Sequence, residues 1–265
     1  MTALRQHRPR KRFGQHFLHD RRVVERIVAA IDPSAGDRLL EIGPGEGALT
    51  AALAGRAGHL FLIEIDRDLA ARLEGQYDPR QVTVQTGDAL RVDLRALPAP
   101  LRVVGNLPYN VSTPLLFHLL SQADRILDMH FMLQREVVDR MVAQPSSPEY
   151  GRLSVTVQHR CRAERLFTVA SGAFRPPPRV ESAIVRLVPR PPAELAGVDE
   201  VRFAAVVTRA FSHRRKTLRN ALAPAVDAAA LERLGIDPGL RPENLSFAEY
   251  RRIAAECTPD VTDLQ

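Results

Sequence analysis

A chain of 265 residues, 45% hydrophobic and 26% charged, is long enough for one large core and a smaller appendix and too apolar to stay disordered. Two cysteines, Cys161 and Cys257, without CxxC spacing exclude a disulfide scaffold and a cysteine-rich metal centre, and no apolar stretch reaches the roughly 20 residues of a membrane span. The net charge of +6 is concentrated: residues 1–19 hold Arg5, Arg8, Arg10, Lys11 and Arg12 and no acid, and residues 201–222 hold Arg202, Arg209, Arg214, Arg215, Lys216 and Arg219 and no acid.

Two acid-free basic segments suggest a polyanion-binding surface, the alternative being two solvated charge runs. The first segment is Arg-rich like a transit peptide, but it is short, poor in serine and leads straight into Phe13–Leu18, which reads as structure. A cytoplasmic location is expected.

Asp20 is placed to cap a helix over Val23–Val28, which Asp32-Pro33 ends. Arg38–Ile42 reads as a buried strand running into Gly43-Pro44-Gly45-Glu46-Gly47, with a helix at Ala48–Ala54. A second strand, His59–Glu64, precedes a helix over Asp66–Leu73, and a third, Val82–Gln85, ends at Gly87-Asp88. Leu101–Gly105 is the fourth strand, and Ser112, Thr113 and Pro114 suit the start of the helix after it. Met129–Leu133 is the fifth strand, with helices beginning at Glu136 and near Arg152. Arg162–Val169 and Ser182–Val188 can pair as the last strands across the proline loop around Pro176-Pro177-Pro178. This alternation predicts an α/β, doubly wound, mostly parallel Rossmann-like sheet. Pro189, Pro191 and Pro192 mark a linker, so the expected domains are 1–190 and a short-helix domain over 191–265, with the stretch Arg209–Arg219 read as one basic helix.

Gly43, Gly45 and Gly47 between a strand and a helix form a backbone cradle for a ligand. Gly43, Gly45 and Ala48 also satisfy the dinucleotide fingerprint, and Glu64 falls about 20 residues on, where such a fold places its ribose-binding acid. A nicotinamide-dependent oxidoreductase and a bare glycine turn are therefore open alternatives. Asp88 after the third strand is placed either to bind the amine of a single adenine ring or simply to make a Gly-Asp turn. With Glu64 on ribose hydroxyls and Asp88 on adenine, the set suits S-adenosylmethionine.

The fourth strand ends in Asn106-Leu107-Pro108-Tyr109. Ligands of open α/β sheets bind at carboxyl ends of strands, so this loop is the candidate acceptor site. The Asn106 carboxamide oxygen and the Leu107 carbonyl can accept both N–H groups of an exocyclic amine, aiming its lone pair at a methyl donor. Pro108 fixes the turn, and Tyr109 stacks on the base. An Asn-x-Pro turn with a core tyrosine is the plainer reading.

The whole pattern resembles the ribosomal RNA adenine dimethyltransferase family, in its small-subunit (KsgA-type) branch. The residues are Lys11–Leu18, Glu41–Gly45, Glu64-Ile65-Asp66, Gly87-Asp88-Ala89, Val104–Ser112, Gln134–Val137, Tyr150–Ser154, Phe174–Val180 and Arg214–Asn220. The resemblance implies a seven-stranded class I methyltransferase sheet with a small all-helical C-terminal domain binding rRNA. It also implies transfer of four methyls from S-adenosylmethionine to two adjacent adenosines of a hairpin loop near the 3′ end of small-subunit (16S) rRNA, in ribosome biogenesis. By motif, His16 and Leu18 join Gly43, Gly45, Glu64, Asp88 and Asn106 at the cofactor, though the family often has Asn where this chain has His16. Phe174 is the candidate for a second aromatic wall opposite Tyr109, or else a loop anchor. Arg10, Lys11, Arg12, Arg214, Arg215, Lys216 and Arg219 are the expected RNA contacts. The target adenine must be extruded or single-stranded. No metal is expected, and a monomer acting on a pre-assembled small subunit is. The alternatives are a catalytically idle RNA-binding assembly factor, a methyltransferase of the large subunit, and amino-methyltransferases of protein or DNA, which usually carry a second proline where Leu107 stands.

Overall fold

The computed structural model describes residues 15–108 and 111–256. Arg10, Lys11, Arg12 and Tyr109 of the expected sites lie outside the described residues.

A short strand β1 (Phe17–Leu18) precedes α1 (Arg21–Ile31), which starts where the Asp20 carboxylate accepts the Arg22 and Val23 N–H groups at 2.9 and 3.3 Å. Its apolar positions Val24, Ile27, Val28 and Ile31 recur at helical spacing and are buried. Then come β2 (Arg38–Ile42), α2 (Ala48–Leu53), β3 (His59–Glu64), α3 (Arg67–Glu74), β4 (Val82–Thr86), β5 (Leu101–Asn106), α4 (Ser112–Leu120) and β6 (Ile126–Gln134). The chain continues through α5 (Arg135–Val142), α6 (Arg152–Arg160), β7 (Cys161–Val169), β8 (Phe174–Arg175) and β9 (Ser182–Pro189). Helices α7 (Pro192–Leu195), α8 (Glu200–Ser212), α9 (Leu218–Leu222), α10 (Ala228–Arg233) and α11 (Phe247–Glu256) complete it.

Seven strands form one sheet in the order β4-β3-β2-β5-β6-β9-β7, parallel from β4 to β6, with β9 antiparallel to β6. This is the expected Rossmann-like sheet. Leu39 to Ile42 are buried without a break, the mark of a parallel strand covered on both faces. The order reverses between β2 and β5, whose register pairs Ile42 with Gly105. A crevice opens beyond the carboxyl ends of strands at such a switch point. Gly105 sits there because a Cβ would come within 2.6 Å of the Ile42 carbonyl oxygen. A separate ribbon pairs β1 antiparallel with β8, a contact the sequence did not suggest.

The chain divides into two compact units, residues 1–138 with 164–189, and residues 139–163 with 190–265. A single boundary near 190 therefore misses a crossing. Residues 139–163 join the second unit because Tyr150 and Val155 lie in its core with Phe203, Leu218 and Tyr250, and the Tyr150 hydroxyl donates to the Leu245 carbonyl at 2.7 Å. The single basic helix expected over Arg209–Arg219 is also two elements: α8 ends at Ser212, and α9 begins at Leu218 after an exposed turn.

Candidate active site

The cleft at the β2–β5 switch point brings together His16, Leu18, Gly43, Gly45, Glu64, Asn106, Leu107 and Pro108. Gly43, Gly45 and Gly47 all have positive φ, of 66°, 59° and 83°, so the turn after β2 folds tightly only because these residues lack a Cβ. At Gly43 a Cβ would meet nothing nearer than the Asn106 carbonyl oxygen at 3.9 Å, leaving open space over the backbone. At Gly45 a Cβ would come within 3.0 Å of the Phe17 ring, so β1 lies directly against the cradle.

Glu64, at the end of β3, is 3% exposed and ties the cradle to the next turn. Its carboxylate accepts the Gly45 N–H at 3.0 Å and the Asp66 N–H at 2.9 Å. Burial holds the carboxyl above its usual range, against those two N–H groups, which favour the anion. A backbone cradle beside an acceptor carboxylate fits a ligand bearing a ribose diol.

Asn106 ends β5 and lines the cleft together with the glycine cradle. Its Nδ2 donates to the His16 carbonyl at 2.9 Å, which leaves Oδ1 to accept from a ligand. The Leu107 N–H donates to the Met132 carbonyl at 3.2 Å and the Pro108 carbonyl accepts the Val111 N–H at 3.2 Å, so the loop is pinned on both sides. The His16 ring Nδ1 lies 2.8 Å from the Pro176 carbonyl oxygen, which assigns the proton to Nδ1.

Two expected residues are not among those lining this cleft. Asp88 is exposed, and its Oδ1 accepts the Leu90 N–H at 3.0 Å to start a short 3₁₀ turn. Phe174 is 2% exposed and packs in the core with Leu18, Ala173 and Ile184, so its ring has no free face to serve as a stacking wall. In the second unit Arg215, Lys216 and Arg219 are exposed, whereas Arg214 is half engaged, with Nε 2.6 Å from Glu243 and Nη2 3.1 Å from the Pro148 carbonyl oxygen.

The cleft also contains residues the sequence reading did not assign to a site, chiefly Phe17, Glu41 and His130. The available signal was an acid and a histidine inside apolar strands, which is uncommon without a reason. Burial drives His130 down to about 4, so its imidazole is neutral. Burial lifts the Glu41 carboxyl from its usual 4.5 to about 7, assisted by the Glu64 charge and opposed by the Thr50 hydroxyl, which donates to it at 2.7 Å. Between those two values the folded protein holds a proton that the unfolded chain does not. Glu41 thus costs stability above pH 7, and the cost is relieved as the pH falls. Glu41→Gln keeps the acceptor for Thr50 and is expected to raise stability at pH 8 by about 1–3 kcal/mol. Denaturation midpoints at pH 8 and pH 5 check this, since the gain should shrink at the lower pH.

The profile of a family described as Ribosomal RNA adenine dimethylase matches residues 6–258. The chain is 56% identical over 245 residues to the ribosomal RNA small subunit methyltransferase A of Aromatoleum aromaticum, covering 92% of each chain. Among solved structures it is similar to a dimethyladenosine transferase from Plasmodium falciparum, with a TM-score of 0.80 and 25% identity over 90% of this chain and 96% of that one. It is also similar to the 23S rRNA methyltransferase ErmE, with a TM-score of 0.69 and 26% identity over 91% of this chain and 99% of that one.

Proposed function

The chain belongs to the ribosomal RNA adenine dimethylase family, and on that premise we propose how its cleft methylates adenosines of small-subunit rRNA. The protein is a methyltransferase of the class I fold acting on small-subunit ribosomal RNA. The finer reading is dimethylation of two adjacent adenosines in a hairpin loop near the 3′ end of 16S rRNA, during small-subunit assembly in the cytoplasm, by a monomer. No described helix is long and apolar enough to cross a membrane.

The observation that carries the reading is the meeting of the glycine cradle and the Asn106 loop in one cleft, with Ile42 and Gly105 in register behind them. S-adenosylmethionine supplies an electrophilic methyl on a sulfonium. Gly43 and Gly45 would hold it by close backbone approach, Glu64 by accepting from its ribose, and His16 and Leu18 by covering it. Asp88, exposed and outside the cleft lining, would accept from its adenine amine through Oδ2 while Oδ1 keeps the turn.

The acceptor amine is the harder half, because its lone pair is delocalised into the base. Asn106 Oδ1 and the Leu107 carbonyl accept its two N–H groups and favour a tetrahedral nitrogen with the lone pair aimed at the methyl. That grip strengthens toward the transition state. Tyr109 stacks on the extruded base, Pro108 holds the carbonyl in place, and Phe174 backs β1 from the core. Arg10, Lys11, Arg12, Arg215, Lys216 and Arg219 hold rRNA phosphates, with Arg214 shared with Glu243.

Both donor and acceptor motifs are intact, which favours an enzyme over an idle assembly factor. Incubation with labelled S-adenosylmethionine and separate unmethylated small subunits, methylated small subunits, large subunits and duplex DNA is expected to label only the first, as dimethyladenosine. Label confined to the large subunit or DNA, or no label at all, would overturn the reading.

A further inference from the structure

The ribbon of β1 and β8 offers a surface that the reaction described above does not use. In an antiparallel pair, residues directly opposite each other project to the same face. The pairs are Leu18 with Phe174 and Phe17 with Arg175. Leu18 and Phe174 lie in the core, while the Phe17 ring lies against Gly45 of the cradle. Arg175 therefore projects on the side of the ribbon that carries Phe17. Its side chain is exposed, and so is that of Arg179 in the same loop. Neither guanidinium has an ion pair or side-chain hydrogen bond with another described residue, Arg175 pairing with β1 through its backbone.

The surroundings leave this charge uncompensated. Glu181, the acid nearest in sequence, is held by Arg135 at 2.6 Å. The Asp20 carboxylate is spent on capping α1, whose first residues Arg21 and Arg22 are themselves exposed. The segment leading into β1 is the acid-free basic stretch of residues 1–19.

The loop is also held in register with the acceptor amide. Pro176, next to Arg175, bonds through its carbonyl to the His16 ring at 2.8 Å, and the His16 carbonyl accepts from Asn106 at 2.9 Å. A group gripped by Arg175 is thus linked to Asn106 through two hydrogen bonds and one residue of β1's approach. Guanidinium groups match phosphate oxygens in a bidentate fork, and phosphate contacts position a nucleic acid without reading its sequence.

We propose that Arg175 and Arg179 form a phosphate clamp on the RNA backbone flanking the target adenosine, setting the base in register with Asn106. This rests on the small-subunit rRNA substrate proposed above. The other anion within reach of the cleft is the carboxylate of the methyl donor, and the test separates the two.

Arg175→Ala/Arg179→Ala in the full chain is assayed for transfer to unmethylated small subunits across a salt series, and for S-adenosylmethionine affinity by calorimetry. The KM for subunits should rise about tenfold at moderate salt, and the log–log salt slope should flatten by about 1.4–1.8 for two lost phosphate contacts. S-adenosylmethionine affinity should stay within about twofold, and Arg175→Lys/Arg179→Lys should recover much of the subunit KM. An unchanged subunit KM and salt slope in an otherwise active protein would overturn the clamp alone. Loss of S-adenosylmethionine affinity instead would assign the arginines to the donor and overturn it too. A wild-type protein that labels no small subunits would remove the substrate reading itself.

Discussion

Asn106→Ala is expected to lower the transfer rate at saturating substrates by about 100- to 1,000-fold, a transition-state loss of about 3–4 kcal/mol. The loss is large because the proposed mechanism has one side chain serve both halves of the reaction. Its Nδ2 holds the His16 carbonyl at 2.9 Å and so fixes the start of β1 over the glycine cradle. In the proposed reaction its Oδ1 accepts from the target amine. Alanine removes both, while Ile42 and Gly105 stay in register and the strand ends where it did. Asn106→Asp separates the two roles, since it keeps an acceptor but points a carboxylate at the His16 carbonyl. Single-turnover transfer to unmethylated small subunits, with donor affinity measured alongside, checks the prediction. If the Ala variant retained transfer within tenfold of wild type, Asn106 would not be the amine-gripping residue.

The strands around this residue were legible because buried parallel strands are written as apolar runs. Arg38–Ile42 and His59–Glu64 form as read, and Asp20 caps its helix as its position suggested. The pairing of β1 with β8 was not legible, since two-residue strands show no period and their partners lie far apart in the chain. That pairing decides the fate of Phe174: opposite Leu18 it belongs to the core, whatever its place in a motif. The assignment of Tyr150 to the second unit depends likewise on a long-range bond, to the Leu245 carbonyl. Arg209–Arg219 looked continuous because its charges do not mark the exposed turn between α8 and α9. Glu41 was visible inside a motif, but its raised pKa follows from burial, and burial needs the neighbouring strands in place.

Arg102→Ala is expected to destabilise the protein by about 3–5 kcal/mol, read as a fall in the denaturant midpoint at pH 7. Arg102 lies on β5 with its side chain only 11% exposed, and it grips Asp128 on β6 as a fork, Nε to Oδ1 at 3.0 Å and Nη2 to Oδ2 at 2.9 Å. The same guanidinium reaches Asp37 at 2.9 Å and donates to the carbonyls of Ile31 and Asp32 at 2.5 and 3.1 Å. Those carbonyls belong to the end of α1, where the last turn has no partners of its own. Burial pushes the Asp37 carboxyl up, but its bonds to Ser34 and Arg102 outweigh this and hold it below 3.8. Its contribution is therefore present at neutral pH and fades as the pH falls through that lowered value. Truncation leaves Asp128, 5% exposed, facing Arg186 at 3.8 Å and the neutral His130. The penalty is chiefly that of a stranded charge, so Arg102→Ala/Asp128→Ala should be less damaging than the sum of its two single changes. Arg102→Lys should fall between, because a point charge cannot satisfy the fork. A loss below 1 kcal/mol in the single variant, or a double variant that equals the sum, would show that the fork carries little. An unchanged transfer rate per folded molecule would mark Arg102 as scaffold, tying the end of α1 to the strand whose last residue is Asn106.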